Sequence, residues 1–255
     1  MAARRRDYNR LLKEYPMCAY CGGTSSADTV DHCPPISMFV KRDRPKGLET
    51  PSCNACNQGA KECENLVAFL GQMKFGQIGE AGVQHFSELC RHMMNNHPAL
   101  VDALRPTIGQ KRYIERLSNA VGDDFGVLDL RQPIVSRNIL LFGAKLAMSL
   151  HFHQRKEVLP PNGRIAVMFF SNQNVLEETV PHHLFDMLPD TKTLRQGQKE
   201  VGGQFLYSSG ATTDSDATAH WASFGDALCF FMFAGTRINS GSLPSDHIFR
   251  PGCLK

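Results

Sequence analysis

Cys18-Ala19-Tyr20-Cys21-Gly22, Val30-Asp31-His32-Cys33-Pro34-Pro35 and Cys53-Asn54-Ala55-Cys56-Asn57 are the three short stretches on which the reading of this chain turns. The outer two are Cys-x-x-Cys pairs. Two such knuckles can supply four thiolates to one tetrahedral Zn2+, a closed site with no vacant position for a substrate. The 31 residues between Cys21 and Cys53 exceed the span of about 15 to 20 in a simple zinc ribbon. A folded element is therefore expected between the knuckles. The middle stretch reads as a short strand that carries an Asp and a His side by side before two prolines stop it. Consecutive strand side chains point to opposite faces, so Asp31 and His32 share one site only if the strand end is distorted or a metal sits near its edge.

Five further cysteines, Cys33, Cys63, Cys90, Cys229 and Cys253, are scattered singly and read as small buried hydrophobes or idle surface thiols. The whole chain has 255 residues, 28 Lys and Arg against 25 Asp and Glu, and 42% hydrophobic content. That excludes a fibrous or mostly disordered protein. A net charge of +3 does not by itself announce a polyanion binder, because the placement of charge matters more than its sum. The longest apolar run, Ala227 to Ala234, is far below the roughly 18 residues of a membrane-spanning helix. Asp7-Tyr8-Asn9-Arg10 follows Arg4-Arg5-Arg6 where a signal peptide would place its apolar core. A cytoplasmic protein with no membrane partner is expected.

Working outward, residues 4–15 predict a short basic helix that could lie along phosphates or simply be solvated. Arg42, Arg44 and Lys46 fall in a Pro-containing loop and Lys61 follows the second knuckle; these four are candidate phosphate contacts, which set affinity rather than sequence preference. From Glu62 to about Val121 apolar residues recur at helical spacing, punctuated by Gly76, Gly79 and Gly82, by His97-Pro98 and by Arg105-Pro106. The Gly122-Asp123-Asp124-Phe125-Gly126 break marks a candidate boundary. Ile134 to Phe152 predicts a buried helix, and residues 164–170, 204–207, 218–224 and 228–233 predict strands, with a polar turn over 208–216. The organisation expected is α+β. A zinc-braced unit spans residues 1–75, a helical segment 76–122, and an α+β domain 123–255 with a small, largely antiparallel sheet packed on the long helix. His151 and His153, the His182-His183 pair, His220, His247, and Asp214 with Asp216 form no recognisable ligand spacing. His151 and His153 read as surface residues, and Trp221, Phe224, Phe230, Phe231 and Phe233 as core.

The two knuckles with Asp-His-x-x-Pro between them resemble the HNH endonucleases of the ββα-metal superfamily, in the branch buttressed by a four-cysteine zinc. The match covers about residues 17–61, and the joint occurrence of its parts carries it. The resemblance implies a structural Zn2+ on Cys18, Cys21, Cys53 and Cys56. It implies His32 as the general base that takes a proton from water, a task suited to neutral imidazole. It implies that Asp31 and Asn57 hold a separate catalytic Mg2+ or Mn2+, for which a carboxylate and an amide oxygen are suitable donors. Outside that frame Asp31 would cap a turn, His32 would be a structural histidine and Asn57 would cap a helix.

One departure stands out. No asparagine occupies the middle position of the family pattern. Leu48 lies nearest to it, so that a backbone carbonyl, Asn54 or Glu49 takes over the orienting task, or catalysis is weakened. The activity implied is hydrolysis of phosphodiester bonds in DNA, with RNA or single strands as the alternative and a non-catalytic zinc module binding nucleic acid or protein as the rival. By analogy, residues 123–255 would restrict cutting by gripping the target, by forming a homodimer, or by sensing an activating ligand or partner protein, for instance in antiviral defence.

Overall fold

The structure, a computed structural model, describes residues 2–73, 79–121, 127–238, 241 and 243–255. Gly76 and the 122–126 break expected as a boundary lie outside the described residues. Helix α1 (Ala2–Glu14) opens the chain and runs past strand β1 (Thr29–His32). Strand β2 (Glu49–Ser52) pairs antiparallel with β1, placing Asp31 opposite Thr50 and His32 opposite Glu49. Helices α2 (Asn54–Gly59) and α3 (Lys61–Leu70) follow directly. Strand, strand and helix thus form a ββα unit, with one knuckle before β1 and the other at the start of α2.

Helices α4 (Glu80–Asn96), α5 (Pro98–Ala103) and α6 (Ile108–Val121) come next. Helix α4 shows an amphipathic stripe whose Leu89 and Met93 are buried. Pro98 at the first position of α5 fits there because the missing N–H would have had no intrahelical partner. Helix α7 (Pro133–Arg155) also begins on a proline and stops at Lys156, which takes a left-handed conformation and donates its N–H to Phe152. Its middle is buried on all sides, since α3 and β2 pack against it on one side and a second sheet on another. An apolar helix with no solvated face belongs in such a position.

That sheet gathers β3 (Arg164–Ser171), β6 (Leu206–Ala211), β7 (Thr218–Phe224), β8 (Leu228–Gly235) and β9 (Ile248–Phe249) in the order β6-β7-β8-β3-β9. Every neighbouring pair in it is antiparallel. Helix α8 (Asn172–Leu176) follows β3, and β4 (Arg195–Gln196) pairs with β5 (Lys199–Glu200) in a small hairpin. Gly143 of α7 sits where a Cβ would lie 2.4 Å from Val167 Cγ1, so its lack of a side chain permits the close approach of helix and sheet. Strand β8 reads as a continuous apolar run because both its faces are covered, one by α7 and the other by Phe185, whose ring meets Phe231 at 4.9 Å. Residues from all three sequence segments, among them Cys56, Leu89 and Phe230, meet in one hydrophobic core.

Two expectations are corrected. The stretch from Ser208 to Ala211 belongs to strand β6 rather than to a turn. Its polar residues are tolerated at the sheet edge because Ser208 donates to Pro189 O at 2.5 Å and Ser209 Oγ lies 2.6 Å from His220 Nδ1. His151 is buried, not on the surface. The last turns of α7 lie over the sheet, and His151 Nδ1 meets Thr218 Oγ1 at 2.9 Å, an oxygen that is also 2.9 Å from His220 Nε2. Burial pulls the pKa of His151 down to about 4 and that of His220 down to about 3. In the unfolded chain each ring would take a proton below about pH 6.5. The stability that these neutral rings confer is therefore complete above about pH 6.5 and lost as the pH falls from there toward the folded values. Denaturant unfolding is expected to show lower stability at pH 5 than at pH 7.5, by on the order of 1 kcal/mol per histidine; equal stability would contradict the neutral buried pair.

Candidate functional site: a four-cysteine cluster beside a histidine pocket

The ligand atoms of Cys18, Cys21, Cys53 and Cys56 all lie within 4.8 Å of one another, and all four residues are buried. Four sulfurs at about 2.3 Å from one Zn2+ would stand roughly 3.7 Å apart, so the cluster has the size and the donor set for a metal such as zinc. It is built locally. Gly22 and Gly23 turn the first knuckle at positive φ, and Gly23 N–H donates to Cys18 O at 3.0 Å. At Gly22 a Cβ would also lie 2.8 Å from the Pro161 nitrogen, so both the conformation and the space require glycine. Cys53 is the N-cap residue of α2 and Cys56 lies in its first turn. A thiol hydrogen bond from Cys56, with further help from backbone groups of Cys53, Cys21 and Tyr20, pulls the Cys18 pKa down to about 4. Such backbone N–H groups around sulfur support a thiolate ligand.

Asp31 points into the core. Its Oδ2 accepts from Tyr20 Oη at 2.6 Å and stands 2.8 Å from Lys145 Nζ of α7. The same ammonium bonds Glu64 Oε1 of α3. All three charged side chains are almost completely enclosed, Lys145 at 0% exposure. Burial alone would push the Asp31 carboxyl up, and the Lys145 ammonium and Tyr20 hydroxyl overcome that, leaving it below the ordinary carboxylate value. For Glu64 burial wins and the pKa is raised. Asp31 therefore offers no open carboxylate to a divalent ion in this arrangement. Asn57 is partly exposed one turn into α2, its N–H donating to Cys53 O at 3.1 Å. The helix cap is Cys53, so Asn57 does not fill the capping role.

His32 faces the other way. It lines a cavity of about 450 Å³ together with Tyr8, Arg42, Lys46 and His153. Tyr8 Oη of α1 lies 2.7 Å from His32 Nε2, and the two rings meet edge to face at 5.8 Å. Strand alternation thus separates Asp31 from His32, as the two adjacent side chains take opposite sides of β1. His153, expected at the surface, lies with its Nε2 3.4 Å from Thr50 Oγ1, and burial lowers its pKa to about 4.

The basic residues divide. Arg44 is internal, its side chain 2% exposed. It donates to Pro34 O at 2.8 Å and to Gly47 O at 2.6 Å and stands 3.6 Å from Glu49. Its guanidinium closes the 33–48 loop and does not project toward a phosphate. Lys46 is exposed and pairs with Asp7 of α1 at 2.9 Å, and Arg42 and Lys61 are exposed. At the position of the missing asparagine, Leu48 takes φ +56°, a left-handed conformation that asparagine and glycine adopt more readily than leucine. The adjacent Glu49 fastens this turn by accepting from Gly47 N–H at 2.9 Å.

Sequence reasoning passed over Tyr8, Tyr20, Glu64 and Lys145. A lysine in the middle of an otherwise apolar helix was the available signal for the last of these, because lysine is almost never fully buried unless paired. In comparisons with family models, curated proteins and solved structures, no match to this chain was found. Among the described residues no helix is long and apolar enough to cross a membrane.

Proposed function

We propose that this chain is a zinc-braced phosphodiesterase of nucleic acid, most directly a DNA endonuclease, with His32 as the general base. The observation that carries the reading is the ββα unit held by four clustered cysteines, with His32 at the end of β1 facing a cavity. Neutral imidazole there would take a proton from water attacking a phosphate. Arg42 and Lys46 at the cavity would meet the phosphate charge, Lys46 by exchanging Asp7 for it. The structural Zn2+ would keep β1, β2 and α2 in register and take no part in the chemistry.

The Mg2+ or Mn2+ expected on Asp31 and Asn57 does not fit the donors as placed, because the Asp31 carboxylate is already held by Lys145 and Tyr20. No step is therefore assigned to such an ion. A rival reading, a non-catalytic zinc module that binds nucleic acid or a protein, draws support from that same occupancy and from Leu48.

Supercoiled plasmid, single-stranded DNA and RNA offered to zinc-replete protein separate the two readings. Under the proposal the wild type nicks at least one of them, and His32→Ala lowers the rate by at least about 100-fold with zinc content unchanged. Parallel reactions without added ion, with Mg2+ and with Mn2+ show whether a divalent ion arrives with the substrate. Binding of nucleic acid without cleavage under every condition would leave the binding module.

A further inference from the structure

We infer that the cation seated between Asp31 and Glu64 is the ammonium of Lys145, so that helix α7 itself fills a two-carboxylate cation site and no Mg2+ or Mn2+ binds there while Lys145 is in place. The geometry is direct. Lys145 Nζ stands 2.8 Å from Asp31 Oδ2 and bonds Glu64 Oε1. An ion in place of Nζ would therefore have two carboxylates from two different elements as ligands, the arrangement that hard divalent cations favour. Both carboxylates are enclosed, at 7% and 5% side-chain exposure, so neither can turn to water for compensation. Two buried carboxylates without a cation would be strongly disfavoured, and among the described residues the ammonium that pairs with both is supplied by residue 145, 114 positions from Asp31 and 81 from Glu64. The Lys145 Nζ also lies 5.2 Å from the centre of the Tyr20 ring, which adds a face attractive to an organic cation and gives nothing to a hydrated metal ion.

The consequence is a latent metal site that the wild-type chain keeps closed. The inference stands apart from the cleavage reading, and its test reads metal binding alone. Mn2+ binding is followed by electron paramagnetic resonance and calorimetry on zinc-replete wild type, Lys145→Met and Lys145→Met with Asp31→Asn. The wild type is expected to take up no Mn2+ that depends on Asp31. Lys145→Met is expected to bind one Mn2+ at least tenfold more tightly than the wild type, and the double variant to lose it. A folded Lys145→Met that binds Mn2+ no better than the wild type would overturn the latent site.

Where the variants do not fold, the wild type decides through its lysine 15Nζ resonances at neutral pH, where a fully enclosed ammonium gives a signal that exposed lysines lose by exchange. Among the described residues Lys145 is the lysine at 0% exposure. Persistence of that signal, unbroadened, in stoichiometric Mn2+ supports the assignment. Its loss as one Mn2+ binds would show that a divalent ion displaces the ammonium and would overturn the inference.

Discussion

Replacing Cys56 with Ala is expected to reduce bound zinc from one per chain to none and to unfold the ββα unit. Cys56 is fully enclosed beside Cys18, Cys21 and Cys53, and β1 and β2 are only four residues each. A two-stranded ribbon of that size is not stable alone, and structural zinc contributes apparent binding energies of about 10 to 16 kcal/mol in small modules. Loss of one thiolate forfeits most of that. The same outcome is expected from a strong chelator applied to wild type. Atomic absorption gives the zinc content, and hydrogen exchange of residues 18–57 reports the local unfolding. Retention of native exchange protection after complete removal of zinc would show that the core alone holds this unit.

The second large effect is expected at Lys145. Lys145→Met removes the ammonium from between Asp31 and Glu64 and leaves two enclosed carboxylates facing each other. Breaking a buried ion pair from one side costs about 3 to 5 kcal/mol. For a chain of this size that corresponds to a fall in Tm on the order of 10 °C. Neutralising the partners as well, with Asp31→Asn and Glu64→Gln, is expected to restore a large part of the loss, because the penalty comes from uncompensated charge and not from the absent side chain. Thermal unfolding of the single and triple variants, zinc-replete, tests both statements. A triple variant no more stable than Lys145→Met would show that packing of the lysine stem, not charge, is what matters.

These two sites differ in how far the chain announces them. Cys18 and Cys21, like Cys53 and Cys56, are separated by two residues, and a knuckle is a local structure, so their convergence into one four-sulfur cluster is legible from spacing. The long helix and strands β3, β7 and β8 are legible for the same reason, since their apolar and β-branched runs are short-range patterns. The start of β6 is legible in the same way, but its continuation from Ser208 to Ala211 was not, because an edge strand needs few apolar residues and its serines find partners only through tertiary contacts. His151 was misplaced because its hydrogen-bond partner, the Thr218 hydroxyl, lies 67 positions away.

The motif around β1 shows the division most clearly. Spacing alone determined that a four-thiolate cluster brackets a short strand ending in Asp31 and His32, and strand alternation already warned that the two would face apart. Only the tertiary structure decided what each one faces. Helix α1 brings Tyr8 to His32 from 24 positions away, and α7 brings Lys145 to Asp31 from 114. Contacts over such separations depend on how whole elements pack around one core, and that packing is set by the summed burial of many side chains, not by any local run of residues.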